Sequence, residues 1–245
     1  MTLSLVSLER RGEIALVRLT REQKLNALSE ELAGQLLTAL ASEEVSSSRV
    51  IVIAGSKKAF SAGADLTEFT DPSAEENLRY YRGPGRIWET LPSLPQPSIA
   101  AISGWAVGGG LELALSADLR VADETARFLL PEVSLGILPS AGGMTRLTRL
   151  IGTARAKELI LLGERFGAAR ALELGVVNRV VPEGGAEDAA LEWAERLAAQ
   201  PQVALQVTRE LLDHTPEMSV QASLAAERLA QGMLAQSAES YKASE

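Results

Sequence analysis

Apolar positions in the first half of the chain fall in short β-branched runs separated by stretches of helical spacing. In the second half the helical spacing takes over. Ile14-Ala15-Leu16-Val17-Arg18-Leu19 and Val50-Ile51-Val52-Ile53-Ala54 are runs of the first kind and predict strands. Between them, Leu25 to Leu40 carries apolar residues at helical spacing, with Ser29 as N-cap ahead of Glu30 and Glu31. Ser98-Ile99-Ala100-Ala101-Ile102 predicts a buried strand ending at Gly104, and Leu119-Arg120-Val121-Ala122 predicts the next. Strands alternating with helices argue for an α/β domain rather than a sandwich. From Thr153 onward, Ala154 to Leu162, Ala168 to Leu174, Ala186 to Ala199 and Val203 to Leu212 repeat apolar residues every three or four positions. This pattern divides the chain into a core over residues 1–185 and a C-terminal helical region over 186–245.

One stretch fits neither pattern. Residues 67–97 are polar and rich in turn formers, with Asp71-Pro72, Gly83-Pro84-Gly85, Pro92, Pro95 and Pro97. Two readings stand side by side: a mobile helical segment at the entrance of a site, or a surface excursion without chemical consequence. The chain shows no internal repeat and no low-complexity segment.

Composition narrows the chemistry. The 245 residues are 46% hydrophobic with a formal charge of −8, as expected of a globular chain that buries a sizeable core. That acidity, with no basic run, argues against docking on nucleic acid or an anionic membrane. No apolar stretch approaches the roughly 20 residues a membrane helix needs. Met1-Thr2-Leu3-Ser4-Leu5 has no basic and apolar signal pattern, so the expected compartment is the cytoplasm. There is no cysteine, which excludes disulfides and thiolate chemistry. The single histidine, His214, reads as a helix end, so a Ser-His-Asp triad and a zinc site both lack support. No metal is expected, and the chemistry falls to carboxylates and backbone.

Two glycine-rich segments are suited to bring backbone N–H groups against a ligand oxygen: Phe60-Ser61-Ala62-Gly63-Ala64-Asp65-Leu66 and Gly104-Trp105-Ala106-Val107-Gly108-Gly109-Gly110-Leu111-Glu112. The triplet Gly108-Gly109-Gly110 precedes Leu111-Glu112-Leu113-Ala114-Leu115, which has helix-forming composition. Glycine at a helix start costs stability unless close approach requires it. Glu112, three residues past Gly109, returns nearly to the same helix face. A first-turn glutamate is ordinarily only a dipole partner, but the leucines around this one predict burial. Pro131-Glu132 follows, a pair that ordinarily marks a solvated helix start. Two amides on one carbonyl form an oxyanion hole, and two carboxylates beside it can move protons. The combination points to acyl-thioester chemistry.

These segments resemble the enoyl-CoA hydratase/isomerase (crotonase) family. The likeness extends through Pro131-Glu132-Val133-Ser134-Leu135-Gly136, Pro139-Ser140-Ala141-Gly142-Gly143, Leu150-Ile151-Gly152 and Gly175-Val176-Val177-Asn178-Arg179-Val180-Val181-Pro182. Order and spacing are preserved, which a lone glycine triplet could not provide. The resemblance implies a spiral of ββα turns followed by helices that assemble three subunits, as a homotrimer or a dimer of trimers. It implies that the Ala64 and Gly109 amides form the oxyanion hole and that Glu112 and Glu132 are catalytic. It places Lys24, Leu25, Ala27, Ala62, Gly63, Asp65, Leu66, Trp105, Gly108 and Pro131 around the acyl-CoA substrate, with Trp105 shaping the acyl pocket. Asp65, and likewise Asp118, reads as structural rather than as an acid, Asp65 opening a helix with Leu66.

The activity implied is reversible addition of water to a trans-2-enoyl-CoA, with no cofactor beyond the CoA of the substrate. The alternatives are an enoyl-CoA isomerase or another acyl-CoA lyase of the same fold. Keeping both glutamates favours hydration. The chain also stops at Ser240-Tyr241-Lys242-Ala243-Ser244-Glu245, earlier than many relatives.

Overall fold

The computed structural model describes residues 4–68 and 73–235, and every element below lies within them. The Asp71-Pro72 turn, the first three residues and the chain end from Ser240 lie outside the described residues.

The chain opens with an antiparallel hairpin, β1 (Val6–Arg11) and β2 (Ile14–Leu19), then α1 (Glu30–Leu40) and α2 (Glu43–Ser46). A unit then recurs: β3 (Val50–Ala54) and β4 (Ala59–Ser61) lead to α3 (Ala74–Arg82) and α4 (Ile87–Ser93). β5 (Ser98–Ile102) and β6 (Trp105–Val107) lead to α5 (Gly109–Ser116). β7 (Leu119–Asp123) and β8 (Arg127–Leu129) lead through a 3-10 turn, Glu132–Leu135, to α6 (Gly143–Leu162). β9 (Phe166–Gly167), α7 (Ala168–Leu174) and β10 (Arg179–Val181) close the core. α8 (Ala186–Ala198), α9 (Gln202–His214) and α10 (Val220–Leu234) follow. The first strand of each unit joins a six-stranded sheet ordered β1-β2-β3-β5-β7-β10, and the second joins a four-stranded sheet ordered β4-β6-β8-β9. Each ββα turn therefore adds one rung to both sheets.

Both faces of the larger sheet are buried, which is why its strands read as unbroken apolar runs. Ala15, Val17, Ile51, Ile53, Ala100 and Ile102 face the main core with α1. The alternate residues Leu16, Val50, Val52, Ile99 and Val121 pack against Ala186, Ala190, Leu191 and Ala194 of α8. The first helix of the C-terminal region is thus the outer layer of the sheet. Helices α9 and α10 leave Leu212, Val220, Leu229 and Met233 exposed. No helix among the described residues is long and apolar enough to cross a membrane.

Two local readings are corrected. α1 begins at Glu30, where the Ser29 hydroxyl accepts from the Leu32 N–H, but the helical spacing from Leu25 does not extend it. Leu25 and Asn26 lie in the left-handed region, φ 51° and 54°. The buried Asn26 amide holds them there by donating to the Ala59 and Phe60 carbonyls at 3.0 and 3.2 Å. Asp65-Leu66 likewise opens no helix. The Asp65 carboxylate accepts from the Thr67 N–H and hydroxyl and pairs with Arg21 at 2.6 Å, closing a turn. The next helix, α3, starts only at Ala74, behind a Ser73–Glu76 capping box.

Candidate active site

Strands β4, β6 and β8 run parallel and adjacent, so the segments leaving their C-terminal ends emerge side by side. Neighbouring strands lie about 4.8 Å apart. The spiral therefore brings residues 62–65, 108–112 and 131–132 to one place despite their distance in sequence. Ligands of open parallel sheets collect at this end of the strands.

The first segment is held from below by the loop after β2. Ala62 N–H donates to the Leu25 carbonyl at 2.9 Å, Leu28 N–H to Gly63 at 2.7 Å and Asp65 N–H to Leu28 at 3.1 Å. Lys24, Leu25 and Ala27 thus sit beside the 62–65 segment. The second segment lies on top of it. Gly63 is left-handed, φ 89°, and a Cβ there would lie 2.6 Å from the Val107 carbonyl oxygen and 3.4 Å from the Gly109 nitrogen. A Cβ on Gly110 would lie 2.4 Å from the Ser61 carbonyl oxygen, and one on Gly108 would lie 2.9 Å from Glu132 Oε1. The glycine triplet thus answers two packing demands as well as the approach of Gly109 to the cavity. Among the described residues, neither the Ala64 nor the Gly109 N–H donates to a backbone acceptor.

Ala64, Gly109, Glu112 and Glu132 line one cavity of about 810 Å³. Glu112, 3% exposed on α5, accepts at Oε1 from the Ala141 and Gly143 N–H groups at 2.9 and 2.8 Å. Burial, and to a smaller degree Glu132, push its carboxyl up to about 7, against the pull of those two amides. Glu132, 7% exposed at the head of the 3-10 turn, is also raised by burial. Its buried Oε2 has no hydrogen-bond partner among the described residues. Asp65 is held oppositely: Thr67 and Arg21 lower it to about 2, so it is a structural anion. Asp118 is structural too, accepting from Ser98 and pairing with Arg209 at 2.6 Å.

Leu66 joins the cavity wall, whereas Ala62, Gly63, Gly108 and Pro131 support it from the adjoining backbone. Trp105 is corrected: on β6 its ring packs under the Arg165 guanidinium, 5.6 Å away, and it is not part of the cavity wall. Trp88 takes that place, its indole N–H donating to the Gly109 carbonyl at 2.9 Å. Tyr80 and Tyr81 of α3 line the wall beside it, so residues 73–93 enclose the site. Sequence reasoning marked this segment without singling out its aromatics, though two tyrosines and a tryptophan in a polar stretch were the available signal. Leu135, Ile137 and Leu138 give the cavity an apolar, exposed rim. Among the described residues there is no group of acidic and histidine side chains able to hold a metal.

The profile of the family described as Enoyl-CoA hydratase/isomerase matches residues 9–244. The chain belongs to this family. The 2,3-dehydroadipyl-CoA hydratase of Escherichia coli is 39% identical over 89% of this chain and 86% of its own length. The short-chain-enoyl-CoA hydratase of Clostridium acetobutylicum is 35% identical over 95% and 90%. The crystal structure of an enoyl-CoA hydratase from Bacillus anthracis superimposes with a TM-score of 0.88 at 36% identity, covering 96% of this chain and 92% of that one. The two-sheet spiral is the crotonase fold of these family members.

Proposed function

We propose that the protein is an enoyl-CoA hydratase acting in the cytoplasm on trans-2-enoyl-CoA thioesters. The observation that carries this reading is the convergence of two unclaimed amides and two buried glutamates on one cavity. The thioester oxygen accepts from the Ala64 and Gly109 N–H groups, which draws electrons from the conjugated alkene and stabilises the enolate that forms. Removing one such donor typically costs about 2.7–4 kcal/mol of barrier. Water adds its oxygen to C3 as Glu112 takes one of its protons, and Glu132 delivers a proton to C2. The two carboxylates suit the division: Glu112, raised to about 7, is substantially ionised at neutral pH yet basic, while burial favours the protonated form of Glu132. No cofactor or metal enters the scheme.

Isomerising a 3-enoyl-CoA needs a proton shuttle but no water, so the second buried carboxylate supports hydration over that alternative. The CoA moiety is placed along Lys24, Leu25 and Ala27, which border the 62–65 segment, and the acyl chain along the apolar rim. The exposed leucines of α9 and α10 support a closed assembly of three subunits or two stacked trimers. Mixing purified protein with crotonyl-CoA tests the activity: the conjugated enoyl absorbance should decay as 3-hydroxybutyryl-CoA accumulates. Unchanged absorbance would refute it.

A further inference from the structure

Outside the cavity, the guanidinium of Arg146 makes contacts that reach both halves of the site. It lies on α6, where Nη1 donates to the Ala141 carbonyl at 3.0 Å and Nη2 to the Trp88 carbonyl at 2.7 Å. Each acceptor belongs to a residue that itself grips the site. The Ala141 N–H holds Glu112 Oε1, and the Trp88 indole N–H holds the Gly109 carbonyl. Room for the guanidinium is made by Gly142, left-handed at φ 100°, where a Cβ would lie 2.0 Å from Nη1. Arg146 lines the neighbouring cavity of about 450 Å³ and is not in the wall of the one that holds Glu112.

We propose that Arg146 is a positioning residue: by clamping the Trp88 and Ala141 carbonyls, it sets the Glu112 carboxylate and the Gly109 peptide in register with each other. The inference rests on the hydratase reading and extends it to a group that touches neither substrate nor water. A planar fork is required, because one point charge cannot donate to two carbonyls from different elements with fixed geometry. Arg146 also sets the charge felt by Glu112. The groups acting on that carboxylate are Glu132 from the 3-10 turn and Arg146 from α6, with Tyr80 of α3 nearby. Glu89 of α4 and Arg149 of α6 act in turn on Arg146, while β4 and β6 contribute no titratable side chain. Arg146 lowers the Glu112 pKa against burial and Glu132, which raise it.

Two variants separate geometry from charge. Arg146→Lys keeps the charge and loses the fork; Arg146→Met loses both. With crotonyl-CoA, Arg146→Lys should lower kcat about tenfold or more, toward the roughly 100-fold that a 1 Å misplacement costs, with KM within about twofold of wild type. Its acidic limb in the pH–kcat profile should stay in place. Arg146→Met should lower kcat at least as far and move that limb to higher pH, because Glu112 loses the cation that favours its ionised form. Thermal unfolding establishes that each variant is folded, and if Arg146→Met is not, the kcat and KM of Arg146→Lys decide. An inactive wild-type protein overturns the hydratase reading and this one with it. An active wild type beside a folded Arg146→Lys of unchanged kcat, or a loss confined to KM, overturns this inference alone.

Discussion

Replacing Gly63 by alanine tests whether the stacking of the two amide segments creates the oxyanion hole. The added methyl meets two obstacles. At φ 89° an L-residue is strained, and the left-handed region costs about 1–2 kcal/mol for a residue with a Cβ. The methyl would also lie 2.6 Å from the Val107 carbonyl oxygen, a contact that must open to at least 3.0 Å. The residue carried away by that opening is Gly109, whose nitrogen lies 3.4 Å from the same methyl. The amides of Ala64 and Gly109 then no longer converge on one oxygen. Losing one donor typically lowers kcat about 10²–10³-fold. We expect that loss in crotonyl-CoA hydration, together with a melting temperature several degrees lower, since 1 kcal/mol shifts a domain of this size by about 2–4 °C. Gly34→Ala is the control. It lies in α1 with nothing within 4 Å of the added methyl, so it should keep full activity and gain about 0.4–1 kcal/mol of stability. A Gly63→Ala enzyme with wild-type kcat would show that the stacking of the loops is irrelevant to the chemistry.

Glu112→Gln and Glu132→Gln should each fold and each lose about 10²–10⁴-fold in hydration rate, and near-wild-type turnover in either removes that residue from the mechanism. The pH–rate profile should rise through about pH 7 as Glu112 ionises and fall at higher pH as Glu132 loses its proton; a rise centred near an ordinary glutamate value would contradict the burial argument. Stability should follow the opposite sign. A carboxyl raised from 4.5 to about 7 on folding binds more protons in the native state, so its ionisation destabilises the protein as pH rises through that window, by ~3 kcal/mol when complete. Glu112→Gln should therefore raise the melting temperature more at pH 8 than at pH 5, and an equal effect at both would refute the assignment. Light scattering coupled to gel filtration should give a mass of three or six chains, and a stable species near 26.1 kDa would refute the assembly.

The long strands of the six-stranded sheet and the helices after Thr153 were legible because both faces of the one and a single stripe of the other are apolar. The strands that build the site were not. β4, β6 and β8 are three residues each, too short for any period to register, and only their parallel pairing brings the amide segments together. Glu112 could be marked from its leucine neighbours, whereas the raised state of Glu132 depends on a burial its proline context does not announce. Helical spacing misled at Leu25-Asn26, where the buried Asn26 amide outweighs the backbone preference of both residues. Trp105 misled for a related reason. Alternation along a three-residue strand decides which side a side chain takes, and the cavity instead recruits Trp88 from a helix.

The central claim is most directly tested by a crystal structure with a bound acyl-CoA such as acetoacetyl-CoA. The thioester oxygen should lie about 2.7–3.1 Å from both the Ala64 and the Gly109 nitrogens, the donor distances of an oxyanion hole. Its C2 and C3 should lie between the Glu112 and Glu132 carboxylates. A thioester carbonyl bound elsewhere, or held by one of the two amides alone, would contradict the account.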